Sequence, residues 1–123
     1  MDGVSCFFRL DDQEVWNPSN SVARIFLSTA HGIGEEFSRA SGLGKVIDDE
    51  CEVDGYEFSA FVTELLVRYE RSNNKPLKEL LESVIAIGLV MLDRAGRDVG
   101  TIVELNDAWL LKREGFARSM PRG

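Results

Sequence analysis

The apolar positions of this chain fall mostly into helical runs separated by glycine- or asparagine-rich breaks. Phe58, Phe61, Val62, Leu65, Leu66 and Tyr69 recur at steps of three and four, which sets one apolar stripe on a helix over residues 55–72. Asp54 with Glu57 three positions on matches a capping box, in which Asp54 accepts from a first-turn N–H and Glu57 reaches back. Glu64 and Arg68 pair at i,i+4, Arg68 and Arg71 meet the negative pole of the helix dipole, and Asn73-Asn74 ends the element.

Upstream, Val22, Ile25, Phe26, Ala30, Ile33, Phe37 and Ala40 keep helical spacing from about Ser19 to Ser41, with Gly32 and Gly34 as the expected point of a kink or break. Downstream, Pro76 opens a helix that is apolar all round from Val84 to Leu92, the pattern of a central helix covered on several sides. Gly96 is its expected C-terminal glycine. Thr101 with Glu104 forms a second capping-box pattern ahead of Ile102, Leu105, Trp109 and Leu110. A strand over residues 99–105, with a helix starting at Asn106 or Asp107, competes with it. Gly115 is expected to end that helix and residues 116–123 to form a loose tail.

Period-two signals are scarce. Ser5 to Leu10 reads as a strand, Asp11-Asp12-Gln13 as a turn and Glu14-Val15-Trp16 as a returning strand. Residues 42–53 read as a long connection holding Gly42, Gly44 and an acidic run. The pattern therefore predicts a mainly α protein: a single domain over residues 1–123, built as a compact bundle of about four helices with a small N-terminal β-hairpin.

A chain of 123 residues, 44% hydrophobic and 28% charged, has the composition of a folded globular domain and lies outside the disordered and membrane classes. Met1-Asp2-Gly3 opens without a basic n-region, and no apolar run reaches spanning length, so the expected compartment is the cytoplasm. Cys6 and Cys51 are far apart in sequence and are expected as idle thiols; Glu50 and Glu52 beside Cys51 disfavour a thiolate. The net charge of −7 is uneven, since residues 1–57 hold twelve acidic and four basic side chains. Such a surface repels phosphate backbones, which argues against nucleic acid and for a basic protein partner. A homo-oligomer is compatible with the pattern.

Six carboxylates lie between Asp48 and Glu57. Glu50-x-Glu52-x-Asp54-Gly55 imitates the start of a calcium loop, but the twelfth position, where a bidentate Glu is needed, is Phe61 on the face expected to be buried. No metal site and no cofactor are therefore expected. His31, the only histidine, has no partner at diagnostic spacing and reads as a plain helix residue, so no catalytic residue is assigned. Arg68, Arg71, Lys75 and Lys78 bracket a helix–helix turn as a basic patch for an anion or an acidic partner, or as solvated helix ends. Trp16 and Trp109 suit either an interface or the core.

Val15-Trp16-Asn17-Pro18, Ala23-Arg24-Ile25-Phe26-Leu27, Asp49-Glu50-Cys51-Glu52-Val53-Asp54 and the stretch from Phe61-Val62 through Arg68-Tyr69-x-Arg71-Ser72 resemble an uncharacterised family of small actinobacterial proteins. The resemblance spans most of the chain and implies a cytoplasmic actinobacterial protein, with no assigned activity to carry over. Two functions are expected from these residues. The first is a non-enzymatic interaction protein (inhibitor, immunity-type or regulatory) that meets a basic surface with Asp48, Asp49, Glu50 and Glu52. The alternative is a small-molecule- or metal-binding helical protein, with enzymes as a subset, that uses the 48–54 loop with Asp49, Glu50, Glu52 and Asp54 and draws His31 near.

Overall fold

Two tight turns made only of aspartate organise the sheet. In the computed structural model, which describes residues 5–99 and 104–122, strand β1 (Phe7–Leu10) turns at Asp11-Asp12 into β2 (Gln13–Trp16). Strand β3 (Leu43–Ile47) turns at Asp48-Asp49 into β4 (Glu50–Val53). All four aspartates have positive φ, between 51° and 64°. The type I′ turn of a two-residue hairpin has left-handed backbone at both central positions, and Asp and Asn tolerate it better than other non-glycine residues. Leu10 pairs with Gln13 and Ile47 with Glu50, so each loop contains only its two aspartates.

The two hairpins join through parallel pairing of β1 and β4, giving one mixed sheet in the order β2-β1-β4-β3. This overturns the mainly α bundle: with a four-stranded sheet beside four helices the fold is α+β, and the N-terminal hairpin is only half of the sheet. The stretch read as a connection, residues 42–53, is the other hairpin. Its period-two signal was present in Glu50-Cys51-Glu52-Val53, where Cys51 and Val53 are buried while Glu52 is exposed.

Each hairpin leads into a 17-residue helix, α1 (Asn20–Glu36) after the first and α2 (Gly55–Arg71) after the second. Ser19 Oγ caps α1 by accepting from Val22 N–H, and Asp54 caps α2 by accepting from Glu57 N–H at 2.9 Å. Only half of the expected capping box is used, because Asp54 N–H donates to the Gly42 carbonyl. The fourth, seventh, eighth and eleventh residues after each cap are buried: Ala23, Phe26, Leu27 and Ala30 in one helix, and Phe58, Phe61, Val62 and Leu65 in the other. α1 runs unbroken through Gly32 and Gly34 and stops at Glu36, short of the expected Ser41. Gly34 is a packing requirement, since a Cβ there would lie 2.6 Å from the Arg39 carbonyl oxygen.

Helix α3 (Lys75–Arg94) is the central helix that the sequence predicts, with nine buried residues, and it packs against α1, α2 and β2. Asn74 caps it, and its end is marked by Gly96 at φ 72°. Helix α4 (Asp107–Ala117), also packed on α3, starts at the competing position, with Asn106 as its cap. Glu104 and Leu105 precede it outside any helix or strand, Thr101 lies outside the described residues, and Gly115 sits inside the helix without ending it. Beyond α4, Met120 is buried, the Pro121 carbonyl accepts from Asn17 N–H, and the Arg122 guanidinium donates to the Glu14 carbonyl at 3.1 Å.

Glycines on two helices make opposite predictions. A Cβ at Gly88 of α3 would stand 2.7 Å from Val62 Cγ2 of α2, whereas one at Gly32 meets nothing within 4 Å. Gly88→Ala should therefore destabilise by about 1–3 kcal/mol through overpacking. Gly32→Ala should stabilise by about 0.5–1 kcal/mol, because alanine loses less backbone freedom in a helix. Urea unfolding of both variants tests the packing, and a shift of the same sign in both would contradict it.

Candidate functional site

The parallel register divides the side chains of β1 and β4 between two faces. Phe8, Leu10, Cys51 and Val53 are all buried, and Phe8 and Trp16 pack on Phe26 of α1. Phe7, Arg9, Glu50 and Glu52 lie on the opposite face, where Glu14 pairs with Arg9 across from β2. Arg9 is the hub of that face, 3.4 Å from Glu50, 3.8 Å from Glu52 and 3.9 Å from Glu14. One guanidinium among three carboxylates leaves a surplus of negative charge, and these are solvated pairs of little energetic weight.

The four acidic candidates thus sit on a formed hairpin. Asp48 and Asp49 make its tip; Glu50 and Glu52 project from its outer face, with Glu52 73% exposed. Ile47, cross-strand from Glu50, is 68% exposed, whereas the corresponding residue of the first hairpin, Leu10, is fully buried. The first turn also has an internal use that keeps it in place. Arg97 binds both carboxylate oxygens of Asp11, and a Cβ on Gly55 would lie 2.6 Å from the Arg97 Cζ, so this guanidinium ties the turn to the start of α2.

The carboxylates of residues 48–54 are spread around the hairpin, and Asp54 is committed to its cap. Among the described residues no three metal-ligating side chains converge. His31 is engaged with the backbone, its Nε2–H donating to the Leu43 carbonyl at 3.1 Å, which holds α1 to the start of β3. Both thiols are buried; burial pushes the Cys51 thiol up to about 12, and burial likewise raises Cys6.

The basic candidates divide between engaged and exposed side chains. Arg68 donates to Glu64 at 2.9 Å and stacks 3.9 Å from the centre of the Phe37 ring; Lys78 stands 4.5 Å from the centre of the Tyr69 ring. Arg71 and Lys75 are exposed and make no ion pair among the described residues. Both tryptophans belong to the core, Trp16 stacked on Phe8 and Trp109 edge-on to Tyr69 with its indole N–H donating to Glu70.

A family model described as a family of unknown function (DUF6086) matches residues 4–122. The chain belongs to that family. No curated protein and no solved structure matches it. Membership in DUF6086 assigns no chemistry, and no helix among the described residues is long and apolar enough to cross a membrane.

What the sequence left unseen is Arg39, which turns the Glu64–Arg68 pair of α2 into a cation–carboxylate knot. Glu64 accepts from Arg39 at 3.0 Å as well as from Arg68, and the Arg39 bond, reinforced by Arg68, holds the Glu64 carboxyl below the usual carboxylate range. A lowered folded-state value means that this contribution is complete above the unfolded value, about pH 4.3, and is lost as pH falls through the folded value. Melting temperature followed from pH 6 to pH 2.5 should therefore fall less steeply for Glu64→Gln than for the wild type below about pH 4.3. Parallel curves would show that the knot contributes nothing.

Proposed function

We propose that the chain is a non-enzymatic acidic interaction protein, of the inhibitor, immunity-type or regulatory kind, that binds a basic protein surface through the β3–β4 hairpin. The observation that carries this reading is the division of the hairpin between its two faces. Cys51 and Val53 fix it to the core, and the same backbone holds Asp48, Asp49, Glu50 and Glu52 in a preformed display. Charges held on a rigid element raise encounter rates with an oppositely charged partner and need little ordering on binding. The same sign disfavours nucleic acid. Action in the cytoplasm is part of the proposal, supported by two cysteines that stay as free thiols in the core.

The test must keep the turn. Lysine at position 48 or 49 would strain a left-handed backbone position, whereas Asn tolerates positive φ, so Asp48→Asn with Asp49→Asn removes two charges and retains the hairpin. With a partner recovered from the native host at low ionic strength, the double variant should associate roughly three- to tenfold more slowly, the difference shrinking as salt is raised and dissociation staying unchanged. Surface plasmon resonance at two salt concentrations reads both rates. Equal association rates for variant and wild type would remove the hairpin from the interface.

A further inference from the structure

The two edges of the sheet differ in what lies against them. With the order β2-β1-β4-β3, the outer strands are β2 and β3. Groups from the C-terminal half occupy the β2 edge: Arg94 donates to the Val15 carbonyl at 2.9 Å, Arg122 to the Glu14 carbonyl at 3.1 Å, and Asn17 N–H to the Pro121 carbonyl at 2.6 Å. Beyond Leu43, no bond to β3 from outside β4 is seen among the described residues. The register shows which groups are left over. Ile47 and Glu50 close the two-residue turn, so their N–H and C=O groups bond to each other, and those of Val46, one residue earlier, point away from β4. Gly44 and Lys45 stand together opposite Glu52 as a bulge, which confines the regular free edge to Val46 and Ile47. Both are exposed apolar residues, at 43% and 68%. Val46 shares the inner face with Cys51, while Lys45 and Ile47 lie on the outer face with Glu50.

We propose that this edge pairs with the same edge of a second copy of the chain, antiparallel about a two-fold axis through Val46. In that register each Val46 N–H donates to the Val46 carbonyl of the other copy, and the two valines meet on the inner face. On the outer face Lys45 lies across from Ile47 of the other copy, with the Glu50 carboxylate one strand beyond. Each ammonium then meets a carboxylate, and each lysine stem covers an isoleucine. One strand and its own neighbour thus supply both halves of every contact, as a two-fold interface requires, and this charge complementarity favours a second copy over a foreign strand. Because the β2 edge is occupied, pairing stops at two copies and gives one eight-stranded sheet instead of a fibre. The contact is small, so a dissociation constant on the order of 10–100 µM is expected.

Sedimentation equilibrium of the full chain from roughly 5 µM to roughly 1 mM should show a monomer passing into a dimer. Val46→Pro removes only the outward N–H and keeps the bonds to β4, so it should weaken association at least tenfold (roughly) with circular dichroism unchanged. Lys45→Glu and Glu50→Lys should each weaken association roughly tenfold, and the two together should restore it, because the exchanged charges still face each other across the two-fold axis. A wild type that stays monomeric at roughly 1 mM would overturn the proposal and leave the edge to a strand of another protein, or to the bulge and lysine as its shield. Dimers indifferent to Val46→Pro, or a charge exchange that fails to restore association, would overturn it as well. All of these readings are taken without any partner, so they bear on the edge alone and leave the hairpin's basic partner to its own test.

Discussion

The parallel pairing of β1 with β4 is the contact on which the rest of the molecule depends. An isolated two-stranded hairpin is marginal in water, and neither hairpin alone has enough apolar face to stand. Joined, they place Phe8 beside Cys51 and Leu10 beside Val53 in one buried layer, against which the helices close. This pairing links residues more than forty positions apart, with α1 between them. It therefore forms only when the helices are able to cover the sheet, and it fixes which side of β4 faces water.

That constraint explains the placement of charge. Once Cys51 and Val53 are committed inward, Glu50 and Glu52 have to point outward beside Arg9, and the two-residue turn has to carry Asp48 and Asp49 at its tip. The two Asp-Asp turns share one backbone solution and differ in use. Asp11 is clasped by Arg97 and holds loop to helix, while the second turn sits beside an exposed Ile47 at the far end of the sheet. The helical layer adds a second polarity, since α2 begins among carboxylates and ends at arginine.

The helices were legible because burial of one face imposes a period that survives in sequence: α2 and α3 lie within a residue or so of their predicted limits, with Asp54 capping α2 and Gly96 following α3 as predicted. β3 and β4 were not. Their alternation is short, glycine stands at both ends of Gly42-Leu43-Gly44, and charge dominates Asp48 to Asp54, so a strand pair looks like a solvated loop. The matching Asp-Asp pair in the first hairpin was the available signal, because Leu10-Asp11-Asp12-Gln13 and Ile47-Asp48-Asp49-Glu50 are the same turn. Arg39 with Glu64 and Arg97 with Asp11 join residues distant in sequence, and no local pattern announces them. α4 was mistimed because a capping-box pattern at Thr101 competed with the single Asn106 cap that the helix uses.

Amide hydrogen exchange over Glu50–Val53 tests the central claim most directly, since β4 lies between β1 and β3 and its backbone is paired on both sides. Exchange of Cys51, Glu52 and Val53 should be as slow as that of Ile85 to Leu89 in the central helix, because opening this strand requires opening the core. Exchange of these three amides at the rate of an unstructured loop would show that the acidic run is not part of the sheet.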